Sequence, residues 1–140
     1  MAKIKLLCWN VEWMNDLFMG DTGPAAFRPD TDKPQHTTST TVKTRREHLS
    51  GVLKDLAPDV VVVAEGPSRK EELALFFNTD MPGTWKVELQ RSPEQSQNLG
   101  IAVRTDTGKF ADPALTVRDT VDDSRFSPFL VDTDSDDIKE

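Results

Sequence analysis

The chain has 140 residues, of which 36% are hydrophobic and 29% charged, with a formal net charge of −7. That length allows one domain with a real core, and the composition is ordinary for a soluble globular protein. No apolar run approaches the roughly 20 residues needed to span a bilayer, and no basic patch of the kind that drives tight nucleic-acid binding is present.

The first stretch, MAKIKLLCWNVEW, is too short in its apolar part and too soon interrupted for a secretory signal. A cytoplasmic location is therefore expected. The single cysteine, Cys8, excludes an internal disulfide and fits a reducing compartment. Residues 3–9, KIKLLCW, alternate and then turn apolar, which predicts a strand with Cys8 as a buried structural thiol. Residues 19–41 are rich in Gly, Pro, Asp and Thr, too polar and punctuated for a core element. A loop of that length is either a substrate-side loop or a floppy insertion.

A helix follows, with Leu49, Val52, Leu53 and Leu56 on one apolar stripe and Pro58 ending it near Ala57. The valine run of DVVVVAEG (59–66) reads as a strand buried on both faces. Helix then buried strand is half of an α/β repeat. Ser68 and Glu71 fit a capping box opening a second helix, SRKEELALFFN, whose Leu73, Phe76 and Phe77 repeat the helical spacing. TWKVELQ (84–90) and LGIAVRT (99–105), joined by a turn-rich connector, predict an antiparallel pair. ALTVRD (114–119) and PFLVDTD (128–134) are two weaker strand candidates, and residues 133–140 form a polar, acidic tail. Residues 105–140 hold ten acids against four bases, so most of the net charge lies there and the body is nearly neutral. The tail lacks the spaced ligands of a calcium loop. Without an internal repeat or a boundary, residues 1–140 read as a single domain.

Glu65 is the residue that raises a chemical question. A buried strand runs straight into an acid, and burying a lone carboxylate is costly unless it is paired or metal-bound. In open α/β sheets ligands collect outside the carboxyl ends of the strands. The first strand ends in Asn10 and Glu12. If the two strands are neighbours, two acids and a carboxamide converge at one edge. Oxygen ligands without Cys or His suit Mg²⁺ or Mn²⁺. The plainer alternatives are that Glu65 caps the next helix or pairs with Arg45, Arg46 or Arg69, that Glu12 faces solvent, and that Asn10 is a turn residue. His36 in the loop and His48 on the helix are expected to face solvent.

Three pieces of the sequence resemble the N-terminal part of the endonuclease/exonuclease/phosphatase (DNase I-like) superfamily: KIKLLCWNVEW, RREHLSGVLKDLAPDVVVVAEG and NLGIAVRT. They occur in the family's order and with its rough spacing, over about residues 3–105. The resemblance implies an α/β fold built as a two-layer β-sandwich flanked by helices, here partial and truncated. It implies a divalent-metal-dependent phosphoesterase with Glu65 as principal metal ligand, Asn10 beside it, and Glu12 in support. Its substrate would be a phosphate ester, nucleic acid or small molecule, with no membrane involved. This sequence departs from the pattern in having Ala64 where the family has Gln, and in lacking the D-x-N and Ser-Asp-His elements. The chain is thus expected to carry the metal-binding half of the site, with turnover near background by itself and a second chain or self-association completing the fold. The rival expectations are an inactive truncated or split member and an unrelated α/β binding module.

Overall fold

The computed structural model describes residues 3–20, 22–36, 39–90 and 98–116. Strand β1 (Leu6–Asn10) leads through a 3-10 turn (Met14–Leu17) and a long loop into helix α1 (Val42–Leu56). Strand β2 (Val60–Gly66), helix α2 (Lys70–Thr79) and strands β3 (Trp85–Gln90) and β4 (Asn98–Arg104) follow. The four strands form one mixed sheet in the order β1-β2-β4-β3. β1 and β2 run parallel, with Asn10 beside Ala64, and β4 is antiparallel to both β2 and β3. The expected neighbourhood of the first strand and the valine strand is therefore present, as is the antiparallel pair.

Local chemistry explains the helix ends. Thr41 caps α1, its hydroxyl oxygen accepting from the Thr44 amide at 3.2 Å. Ala57 ends the helix in the left-handed region, ahead of Pro58. α2 is capped one residue later than the sequence suggests, because Arg69 rather than Ser68 is its N-cap and Glu72 rather than Glu71 closes the box. The reason is tertiary: the Ser68 hydroxyl donates to Asn15 Oδ1 at 2.9 Å, and Glu72 is buried against the Arg69 guanidinium.

One face of the sheet carries the core. Val61, Val63, Val87 and Ala102 join Leu49 and Leu53 of α1, and Leu73, Phe76 and Phe77 of α2, in a single apolar cluster. Phe77 packs on Trp85 with ring centroids 5.1 Å apart. The stripe predicted for α1 is only half buried, since Val52 and Leu56 remain exposed while Val42 at the N-terminus joins the core.

The other face corrects two expectations. Strand register puts Leu6, Cys8, Val60, Val62, Ile101 and Leu99 on it, and among the described residues no helix or second sheet covers them. Leu6 is 60% and Leu99 55% exposed. The valine strand is thus buried fully on one face only, and Cys8 is an exposed thiol, not a buried one. Helices on a single side of the sheet are the cause of both.

The loop between the 3-10 turn and α1 is tied down where it is described. Phe18 and Phe27 form a bridge and stack, the Arg28 amide donates to the Leu17 carbonyl, and Pro34 is buried. Arg46 of α1 lies over the Phe27 ring at 3.6 Å and forms a two-pronged pair with Asp80, at 2.7 and 2.9 Å. The strand expected at 114–119 is not formed over residues 114–116. Its remainder, the 128–134 candidate and the acidic tail lie outside the described residues.

Candidate functional site

The site is built on an irregularity in β2. Its pairing with β4 runs regularly to Val63 opposite Gly100 and resumes with Gly66 opposite Asn98. Ala64 and Glu65 together therefore face one residue, a β-bulge, which bends a strand and re-aims a side chain. Glu65 takes φ 56°, the left-handed region. For a non-glycine residue this costs on the order of 1–2 kcal/mol. The bulge turns the carboxylate toward the end of β1. Asn10 Nδ2 donates to Glu65 Oε1 at 2.9 Å, and the Trp13 amide donates to Oε2 at 3.1 Å.

The end of β1 is equally unusual. Glu12 and Trp13 have φ 51° and 56°, so three of the four non-glycine residues with positive φ among the described residues meet at this one place. The double left-handed turn brings the Glu12 amide back to Asn10 Oδ1 at 2.8 Å and points the Trp13 amide at Glu65. Strain of this kind persists only where the surroundings impose it, and it collects at functional sites.

None of the arginines that could neutralise Glu65 does so. Arg45 donates to the Val11 carbonyl at 2.9 Å, Arg46 is held by Asp80, and Arg69 is held by Glu72 and the carbonyls of Gly20 and Gly23. Glu65 is half-buried and has no cationic partner among the described residues. Each of its oxygens accepts one N–H, which leaves lone pairs on both for a cation. Glu12 is brought in through its backbone only. Among the described residues no group of three or more His, Cys, Asp or Glu gathers to hold a metal. The donor set fits a hard cation held by one carboxylate and otherwise by water and substrate, which is the manner of Mg²⁺.

A second arrangement adjoins the first, and the sequence offers no hint of it. His36 is exposed, as expected, but it is engaged by its neighbours. Its Nδ1 lies 3.0 Å from Asp16 Oδ1, and its amide donates to Asp16 Oδ2 at 3.2 Å. Its ring stacks on Trp13, centroids 3.9 Å apart and planes within 5°. Asp16 is buried at 7% exposure, whereas the His36 side chain is 39% exposed. Behind them Arg45 is half-buried, and its Nε has no hydrogen-bond partner among the described residues. Burial pulls this guanidinium below its ordinary pKa, against the opposing pull of the Asp16 and Glu12 charges. Arg28, Lys33, Asn15 and Ser68 line a cleft of about 380 Å³ on this side, with His36 at its wall. His48, on α1, is exposed as expected.

Comparison with known proteins finds no matching family model, no matching curated protein and no matching solved structure. Among the described residues no helix is long and apolar enough to cross a membrane.

Proposed function

We propose that this chain is a divalent-cation-dependent phosphoesterase, with Glu65 as the protein ligand to Mg²⁺ or Mn²⁺ and Asn10 as the residue that orients it. The observation that carries this reading is the bulged, left-handed Glu65, whose half-buried carboxylate accepts from Asn10 and the Trp13 amide yet has no cationic partner among the described residues. An acid that served only to balance an arginine would need neither the bulge nor the strain. Glu12 supports through its amide, which holds Asn10 Oδ1.

The choice of a phosphate ester rests on the sequence resemblance, and the cations Arg28 and Lys33 in the adjoining cleft agree with an anionic substrate. A bound divalent ion would polarise a phosphate oxygen and stabilise the charge that develops there. The chain's own contribution is to hold that carboxylate still: two N–H donors fix both oxygens, so little reorganisation is left for the reacting complex. The finer fold that goes with this reading is a two-layer β-sandwich. The exposed face of Leu6, Val62, Ile101 and Leu99 is where its second sheet, from this chain or another, would pack.

The test is release of 4-nitrophenol from bis(4-nitrophenyl) phosphate by the 140-residue chain with Mn²⁺. Activity that a chelator abolishes and that Glu65→Gln loses supports the reading. Activity that persists in Glu65→Gln contradicts it.

A further inference from the structure

Asp16, His36 and Trp13 form an arrangement that core packing does not require. Asp16 is buried, and both of its carboxylate oxygens reach the exposed residue His36, at 3.0 Å to the ring and 3.2 Å to the amide. A carboxylate can only accept, so the Nδ1 proton belongs to this bond, and Nε2 has no partner among the described residues. Stacking on Trp13 fixes the plane of the ring. The backbone amide of that same Trp13 holds Glu65 Oε2 at 3.1 Å. One residue therefore positions both the imidazole and the proposed cation-binding carboxylate. The cleft at His36 is walled by Arg28 and Lys33, and Arg28 Nε is buried without a hydrogen-bond partner among the described residues. The other acids on that wall, Asp16 and Glu72, are engaged by His36 and Arg69.

We infer that His36 is the general base of this site and that Asp16 is its positioning residue, acting on an anionic phosphodiester held in the cleft by Arg28 and Lys33. This rests on the phosphoesterase reading above. In the step, Nε2 takes a proton from water as the water oxygen bonds to phosphorus. The phosphorus–oxygen bond to the leaving group breaks, and its electron pair departs with that oxygen. The imidazolium then loses its proton to solvent. A turnover above background from this chain alone follows, which departs from the expectation drawn from the missing D-x-N and Ser-Asp-His elements.

The experiment measures hydrolysis of bis(4-nitrophenyl) phosphate with Mn²⁺ by the wild-type chain, His36→Ala and Asp16→Asn, alongside calorimetric Mn²⁺ titration of each. His36→Ala should lower kcat by about 10²–10⁴-fold, the usual contribution of a positioned base. KM and Mn²⁺ affinity should stay near wild type, and added imidazole should restore part of the lost rate. Because Asp16 is buried, Asp16→Asn is compared with wild type by circular dichroism. Imidazole rescue of the exposed-site variant His36→Ala decides the matter if the Asp16 variant does not fold. Equal kcat in wild type and His36→Ala, or Mn²⁺ binding through Glu65 with no hydrolysis by wild type, overturns the base assignment and leaves the cation site standing. A wild-type chain with neither Mn²⁺ affinity nor hydrolysis overturns both.

Discussion

Asn10 and Glu65 sit at the ends of two parallel neighbouring strands, and the Asn10 amide donates to the Glu65 carboxylate at 2.9 Å. The contact exists only because the bulge in β2 turns Glu65 out of the pleat, at φ 56°. The backbone is distorted to place a carboxylate, and that distortion should be measurable apart from any activity.

Both Glu65→Ala and Glu65→Gly remove the carboxylate, so their difference reports the backbone. Alanine keeps the left-handed penalty, whereas glycine is relieved of it. Glu65→Gly should be the more stable of the two by about 1 kcal/mol. Urea melts that place the two variants together, or alanine higher, would show that Glu65 is not held in a strained conformation.

Acid should loosen the base of the sheet through Asp59. The Lys109 ammonium, at 2.8 and 2.9 Å, and the Lys5 amide hold its carboxyl below the ordinary value of 3.8. A depressed folded-state pKa contributes stability that is present in full above the unfolded value and lost as pH falls through the folded one. Stability should therefore decline as pH drops below about 3.8, and Asp59→Asn should flatten that decline. Asp106, held at about 2 chiefly by the Arg104 guanidinium, adds to the decline over the same window, from about 3.8 down to about 2. Denaturant melts from pH 6 to pH 2 check this; identical slopes in wild type and Asp59→Asn would count against it.

The two faces of the sheet should answer differently to charge. Val61 is fully buried and Leu99 is 55% exposed. Leu99→Lys should change stability by no more than about 0.5 kcal/mol, as for other surface sites. Val61→Lys should leave the chain unfolded, because an unpaired buried ammonium cannot be accommodated. A loss of several kcal/mol in Leu99→Lys would mean that the face is covered in solution.

Arg46→Lys should not behave as a conservative change. Arg46 grips both oxygens of Asp80 while its guanidinium lies over the Phe27 ring, 3.6 Å from the centroid. A lysine keeps the charge and loses the fork and the stack, which should cost about 1–2 kcal/mol. It should also speed protease cleavage within the loop that Phe27 anchors. Unchanged stability and unchanged cleavage would show that charge alone suffices there.

Much of this fold was legible because its signals are local. The four valines, the alternation in residues 84–90, and the Leu73, Phe76, Phe77 spacing each predict an element that is present. What escaped reading is tertiary. Ser68 left its expected cap because Asn15 accepts its hydroxyl. Cys8 is exposed because the helices cover only the opposite face. Glu65 and Asn10 were legible as strand-end oxygens, but the bulge that joins them leaves no mark in composition. His36 is exposed as its loop position predicts, but its pairing with Asp16 is not legible, because no spacing rule links an imidazole to an acid 20 residues away across a loop.

Cation binding by this chain depends on the Glu65 carboxylate. Calorimetric titration of Mn²⁺ into the wild-type chain, Asn10→Ala and Glu65→Gln measures this directly. Loss of even an outer partner of a metal ligand costs about 10–100-fold in affinity. Asn10→Ala should fall in that range, and Glu65→Gln should lose at least as much, leaving little measurable heat. Equal Mn²⁺ affinity in wild type and Glu65→Gln, with both chains folded, would contradict the cation site.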